Sequence, residues 1–125
     1  MYTLTIKDET AAGKILNEIA LKFEKESITV KELIAARIKE EVIKYENNAM
    51  ELRLVVPSNI EQRLNQKSKP IIDIEKQIYV ALDAFNKNGF FILVGDEQVE
   101  ELDQEFLVSE STDVSFVKLT PLVGG

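Results

Sequence analysis

Between Phe23 and Val30 the spacing of apolar residues changes from every second position to the three-and-four step of a helix, and this change narrows the possible folds more than any other feature. Upstream, Tyr2-Thr3-Leu4-Thr5-Ile6-Lys7 alternates apolar with polar residues of β-favouring type and reads as a half-buried strand. The polar stretch from Asp8 to Gly13 is expected to turn the chain, and a second strand then sets Ile15, Ile19, Leu21 and Phe23 on one face. Downstream, Thr29 reads as an N-cap with Glu32 three residues on, and Val30, Leu33, Ile34, Ile38 and Val42 recur at helical spacing. The expectation is a helix from Val30 to Tyr45 that stops at Asn47-Asn48. A helix with one apolar stripe, placed directly after a hairpin, must bury that stripe on the sheet the hairpin begins, which gives an α+β domain.

The rest of the chain supplies the strands such a sheet requires. Met50, Leu52, Leu54 and Val56 alternate up to Pro57, Ser58 or Asn59 can cap a short helix through Leu64, and residues 65–70 read as loop. Asp73 can cap a second amphipathic helix carrying Ile74, Ile78, Ala81, Leu82 and Phe85, closed by Asn88-Gly89. Phe90-Phe91-Ile92-Leu93-Val94 is continuously apolar and bounded by glycines, so it is expected to be a central strand buried on both faces. Gly95-Asp96 turns the chain, and the acidic piece from Glu97 to Val108 has room for a short strand and a helical turn. After a polar turn, Val114 to Leu119 forms the last strand.

Composition removes most catalytic chemistries. The 125 residues include no Cys and no His, so disulfides, thiolate metal sites, a cysteine nucleophile and the commonest general base are excluded. The net charge of −7 opposes nucleic acid and anionic membranes and suits basic protein surfaces. Residues 96–103 lack the ligand spacing of a calcium loop, and Gly95 is isolated rather than part of a phosphate-binding loop. Glu40-Glu41 and Glu100-Glu101 are adjacent pairs that do not face each other on a helix, and they read as solvated surface. No catalytic residue and no bound cofactor or metal is expected. With neither a basic, apolar leader at the start nor an uninterrupted apolar span, the chain is expected to be cytoplasmic.

The last residues carry the one chemical motif. Pro121 removes a ladder donor just past the final strand, so residues 121–125 are expected to project as a flexible tail. Gly124-Gly125 has no side chains and wide backbone freedom, so it can thread a narrow channel and present a carboxylate to ATP. The resulting acyl-adenylate can be attacked by a partner's thiolate to give a thioester, or by sulfur to give a thiocarboxylate. The chain would then be a substrate, for which absent Cys and His are no handicap.

On these residues the chain resembles the β-grasp family of ubiquitin. The likeness runs through MYTLTIKD, ILNEIALKF, ITVKELIAARIKEEVIKYE, FFILVGDEQVEEL and STDVSFVKLTPLVGG. Helix phrasing such as TVKELI is also similar to the bacterial sulfur carriers of thiamine and molybdopterin synthesis. The resemblance implies one domain over residues 1–120, a mixed sheet covered by one long helix, with residues 48–89 inserted between that helix and the third core strand. The insertion is expected to pack as an extra layer or to serve as an assembly surface. The favoured resemblance is to bacterial ubiquitin-like proteins that accompany E1-like, E2-like and JAB-type peptidase genes, some linked to antiphage defence. It implies that an E1-like enzyme uses ATP to adenylate Gly125, that E1 and E2 cysteines carry the thioester, and that a target lysine receives the chain. Gly124 would give slimness, and Pro121, Leu122 and Val123 would lead into and fill the activating enzyme's groove. Since the sequence ends at Gly125, the peptidase is expected to reverse conjugation rather than expose the tail. Two other readings stay open: a sulfur carrier for cofactor synthesis or tRNA thiolation, and a non-covalent interaction domain.

Overall fold

The computed structural model describes residues 1–46 and 72–118. In chain order these form β1 (Tyr2–Thr10), β2 (Ile15–Phe23), β3 (Ser27–Thr29), α1 (Val30–Glu46), α2 (Ile74–Asn86), β4 (Phe90–Val94), β5 (Glu97–Val99), β6 (Glu105–Leu107) and β7 (Val114–Lys118). A five-stranded mixed sheet runs β2-β1-β7-β4-β5, and β3 pairs with β6 in a separate two-stranded ribbon. β1 and β7 are parallel, and the other pairs are antiparallel. The α+β class expected from the sequence is therefore present, with two helices and a mixed sheet.

One face of this sheet is the core. Leu4 and Ile6 of β1, Ile19 and Leu21 of β2, Phe90 and Ile92 of β4, Val99 of β5, and Val114 and Phe116 of β7 are all buried. They meet Val30, Leu33, Ile34, Ile38 and Val42 of α1, each fully buried. Removing each such side chain from water contributes roughly 1.5–3 kcal/mol. α1 packs against β2, β3 and α2, and α2 packs against β4. The helical part of the expected insertion is not an extra layer: it packs beside α1 and on β4, with Ala81 and Phe85 buried in the same core. The strand expected over 50–56, the short helix to Leu64 and the loop over 65–70 lie outside the described residues.

Four further expectations need correction. The turn does not begin at Asp8: β1 continues to Thr10, because it pairs with β7 over Ile6 to Thr10 as well as with β2. Ile15 is not on the core face, because a register shift at Asp8/Glu9 leaves Ile15 49% and Leu16 46% exposed. That shift is a bulge, which breaks the two-residue alternation at the end of the strand. β4 is interior but not central: β7 lies at the centre, and Phe91 and Leu93 on the outer side of β4 are only half-buried. Finally, the piece from Glu97 to Val108 holds two short strands, β5 and β6, joined by a non-helical turn, where one strand and a helical turn were expected, and β3 was not expected, since strands this short carry no periodicity.

Helix ends follow local chemistry closely. The Glu32 N–H donates to Thr29 Oγ1 at 3.1 Å and the Thr29 N–H donates to Glu32 Oε1 at 3.2 Å, a reciprocal capping box. The first two helical N–H groups, of Val30 and Lys31, donate to the carbonyls of Gln104 and Leu102 at 3.0 and 2.9 Å. The acidic segment before β6 thereby serves as backbone acceptor for the start of α1. At the other helix, Asp73 accepts from the Lys76 N–H at 3.1 Å. The stop uses Asn88 rather than glycine in the left-handed region, at φ 61°, with the Gly89 N–H donating back to the Ala84 carbonyl at 2.7 Å. Gly89 is favoured for a different reason: a Cβ there would lie 3.2 Å from the Ala84 oxygen, a tight contact.

Lys25 Nζ lies 2.7 Å from Glu32 Oε2, and this contact, followed by the Thr29 N–H, holds the Glu32 carboxyl below its ordinary value of 4.5. A depressed carboxyl stabilises the fold above its unfolded value and loses that contribution as pH falls through the folded one. Thr29→Ala is expected to cost about 1 kcal/mol. Urea melts of wild type and Glu32→Gln should differ most near neutral pH and converge as acid protonates Glu32 below its ordinary value of 4.5.

Candidate functional site

Pro121, Leu122, Val123, Gly124 and Gly125, the residues expected to carry the chemistry, lie outside the described residues. What the structure describes is the strand that leads to them. β7 is the central strand, paired with β1 from Ile6↔Val114 to Thr10↔Lys118 and with β4 from Phe90↔Lys118 to Val94↔Val114. Both of its edges are hydrogen-bonded, so the last described residue, Lys118, is fixed between Thr10 and Phe90. At its entry, Lys7 Nζ lies 3.5 Å from Asp113 Oδ1, and the Gly95 N–H donates to the Asp113 carbonyl at 2.7 Å.

Phe116 is the anchor of this strand. It is buried, its ring stacks on Phe90 at 5.7 Å between centroids, and Phe90 in turn meets Phe85 of α2 at 5.9 Å. The Arg37 guanidinium of α1 lies over the same Phe116 ring, with Cζ 4.8 Å from the centroid. Arg37 is fully buried. Its Nη1 and Nη2 donate to Oδ1 and Oδ2 of Asp8, the second at 2.8 Å, while Nε donates to Glu41 Oε2 at 3.4 Å. Asp8 and Phe116 are Cα partners across β1 and β7, so one guanidinium grips both central strands at one register position. The planar fork suits this task, since it matches a carboxylate edge-on while offering a flat face to an aromatic ring.

Neither Asp8, Arg37 nor Glu41 was anticipated. Glu41, expected on the solvated surface beside Glu40, is instead fully buried, because it sits one turn from Arg37 and accepts from it. The signal was present in the spacing. Asp8 continues the parity of Leu4 and Ile6, and Arg37 and Glu41 fall seven residues beyond Val30 and Ile34 on the apolar stripe. Charge on a buried face marks a pair that must find partners.

Among the described residues no group of three or more His, Cys, Asp or Glu is placed to hold a metal ion. No helix among them is long and apolar enough to cross a membrane. Residues 96–103, weighed as a calcium loop, form the turn into β5, the strand itself and the turn after it. The Ser109, Ser111 and Thr112 hydroxyls bond to one another, at 2.9 Å from Ser109 to each of the others, and Thr112 donates to the Leu107 carbonyl. No family model matches the chain, and neither a curated protein nor a solved structure matches it.

The buried network yields a sharp stability test. Arg37→Met leaves two carboxylates in the interior without their cation and is expected to cost about 3–5 kcal/mol in chemical denaturation. Replacing all three charges together, as Asp8→Val, Arg37→Met and Glu41→Leu, should recover most of that loss, because no uncompensated charge remains.

Proposed function

We propose that this chain is a ubiquitin-like modifier that is attached to other proteins through the carboxylate of Gly125. The observation that carries this reading is the sheet order β2-β1-β7-β4-β5 with β1 and β7 parallel and α1 following the first hairpin. That order is compatible with a β-grasp, in which the last strand lies centrally and delivers the chain that follows it to one end of the sheet. Here that strand is β7, and the residues after it are Leu119-Thr120-Pro121-Leu122-Val123-Gly124-Gly125.

The chemistry needs little from the modifier itself. Its carboxylate attacks the α-phosphate of ATP on an E1-like enzyme, and pyrophosphate leaves. An enzyme thiolate then displaces AMP to give a thioester, which passes to an E2-like thiol, and a target lysine amine expels that thiol to form an amide. Pro121 has no N–H to offer a neighbouring strand, Leu122 and Val123 offer apolar side chains to the activating enzyme, and Gly124 keeps the approach narrow. The net charge of −7 suits docking on basic faces of these enzymes. The chemistry is the same whether Gly125 stands as the terminal residue or is exposed by a JAB-type peptidase.

The test is reconstitution with ATP and whichever E1-like and E2-like proteins the source genome encodes. Wild type is expected to form adducts that survive reduction on lysine-bearing targets, and the chain lacking Gly125 to form none. Equal behaviour of the two would overturn the proposal. Intact mass separates the sulfur-carrier reading, in which sulfur replaces one carboxylate oxygen and no target is attached.

A further inference from the structure

β2 is one edge of the sheet, and its outer side meets no strand among the described residues. Edge strands of this kind expose N–H and C=O groups that recruit another strand unless a bulge, a proline or isolated charge prevents it. The bulge of this hairpin lies at the Ile15 end, and from Asn17 to Phe23 the strand keeps unbroken register with β1. Glu18, Ala20 and Lys22 point outward along this stretch and are exposed. Among the described residues neither Glu18 nor Lys22 has an ion-pair or side-chain hydrogen-bond partner. Alongside runs a groove of about 630 Å³ between β2 and α1, where Ala35 and Ala36 keep the flank of the helix low.

We propose that β2 pairs antiparallel with β2 of a second copy of this chain, about a two-fold axis at Ala20. The order Glu18, Ala20, Lys22 is its own complement when reversed. In this register Glu18 faces the partner's Lys22, Lys22 faces the partner's Glu18, and Ala20 faces the partner's Ala20, where small side chains let the strands approach. On the core side Ile19 meets the partner's Leu21. Lys22 alone would blunt the edge, but matched by Glu18 it selects this register, and the two five-stranded sheets become one continuous sheet. A parallel pairing in register would set like charges opposite and is disfavoured. The contact is narrow, so the dimer is concentration-dependent.

Sedimentation of the full chain from about 1 μM to about 1 mM tests this. Wild type is expected to dimerise across that range. Glu18→Lys and Lys22→Glu each turn two facing attractions into repulsions and should weaken the dimer at least about tenfold. The double variant E18K/K22E should regain wild-type association, and the two single variants mixed should form a heterodimer. Wild type that stays monomeric overturns the proposal, as does a double variant no better than either single one. Both substituted positions are exposed, and circular dichroism checks that each variant keeps its fold.

Discussion

The buried guanidinium of Arg37 ties the elements of this domain together in a way apolar packing alone does not. Its fork closes on Asp8 of β1, its face covers Phe116 of β7, and its Nε reaches Glu41 one turn along α1. β1 and β7 are distant in sequence and parallel, so no tight turn sets their register. A row of side chains, Asn17, Asp8, Phe116, Ile92 and Val99, crosses all five strands, and Arg37 stands over its middle. A one-residue slip of β7 would move Phe116 to the other face and leave the guanidinium without its ring. Buried ion pairs are poor sources of net stability, but removing one member leaves charge stranded, which penalises alternative registers.

The start of α1 depends on contacts just as remote. Its side-chain cap is local, formed by Thr29 and Glu32, yet its first two N–H groups are satisfied by Gln104 and Leu102. β3 leads directly into the helix and pairs with β6, so the acidic segment is fixed by the same junction it completes. This explains why a sequence stretch with little apolar content is ordered: its backbone carbonyls have a defined task.

For the proposed function, the consequence is a rigid support for the chain after Lys118. β7 is held on both edges and through Phe116, so whatever follows starts from a fixed point between Thr10 and Phe90. A modifier benefits from this arrangement, because its partners must find a tail at a reproducible position relative to the surface they dock on.

Much of this was legible from residue order. The two alternating runs, the Thr29/Glu32 box, the Asp73 cap, the stop at Asn88-Gly89 and the stripe of α1 are local patterns, and each depends on side chains within a turn or two of one another. The Gly-Gly pair was likewise read from sequence, and with it the chemistry now proposed. Tertiary structure decided what local spacing cannot encode. It placed β7 rather than the more apolar β4 at the centre, because strand order follows from long-range pairing and not from hydrophobicity. It extended β1 through Asp8, exposed Ile15 beyond a bulge, and drew Arg37 and Glu41 inside, since a charged residue enters a core only when partners from other elements are already there to receive it.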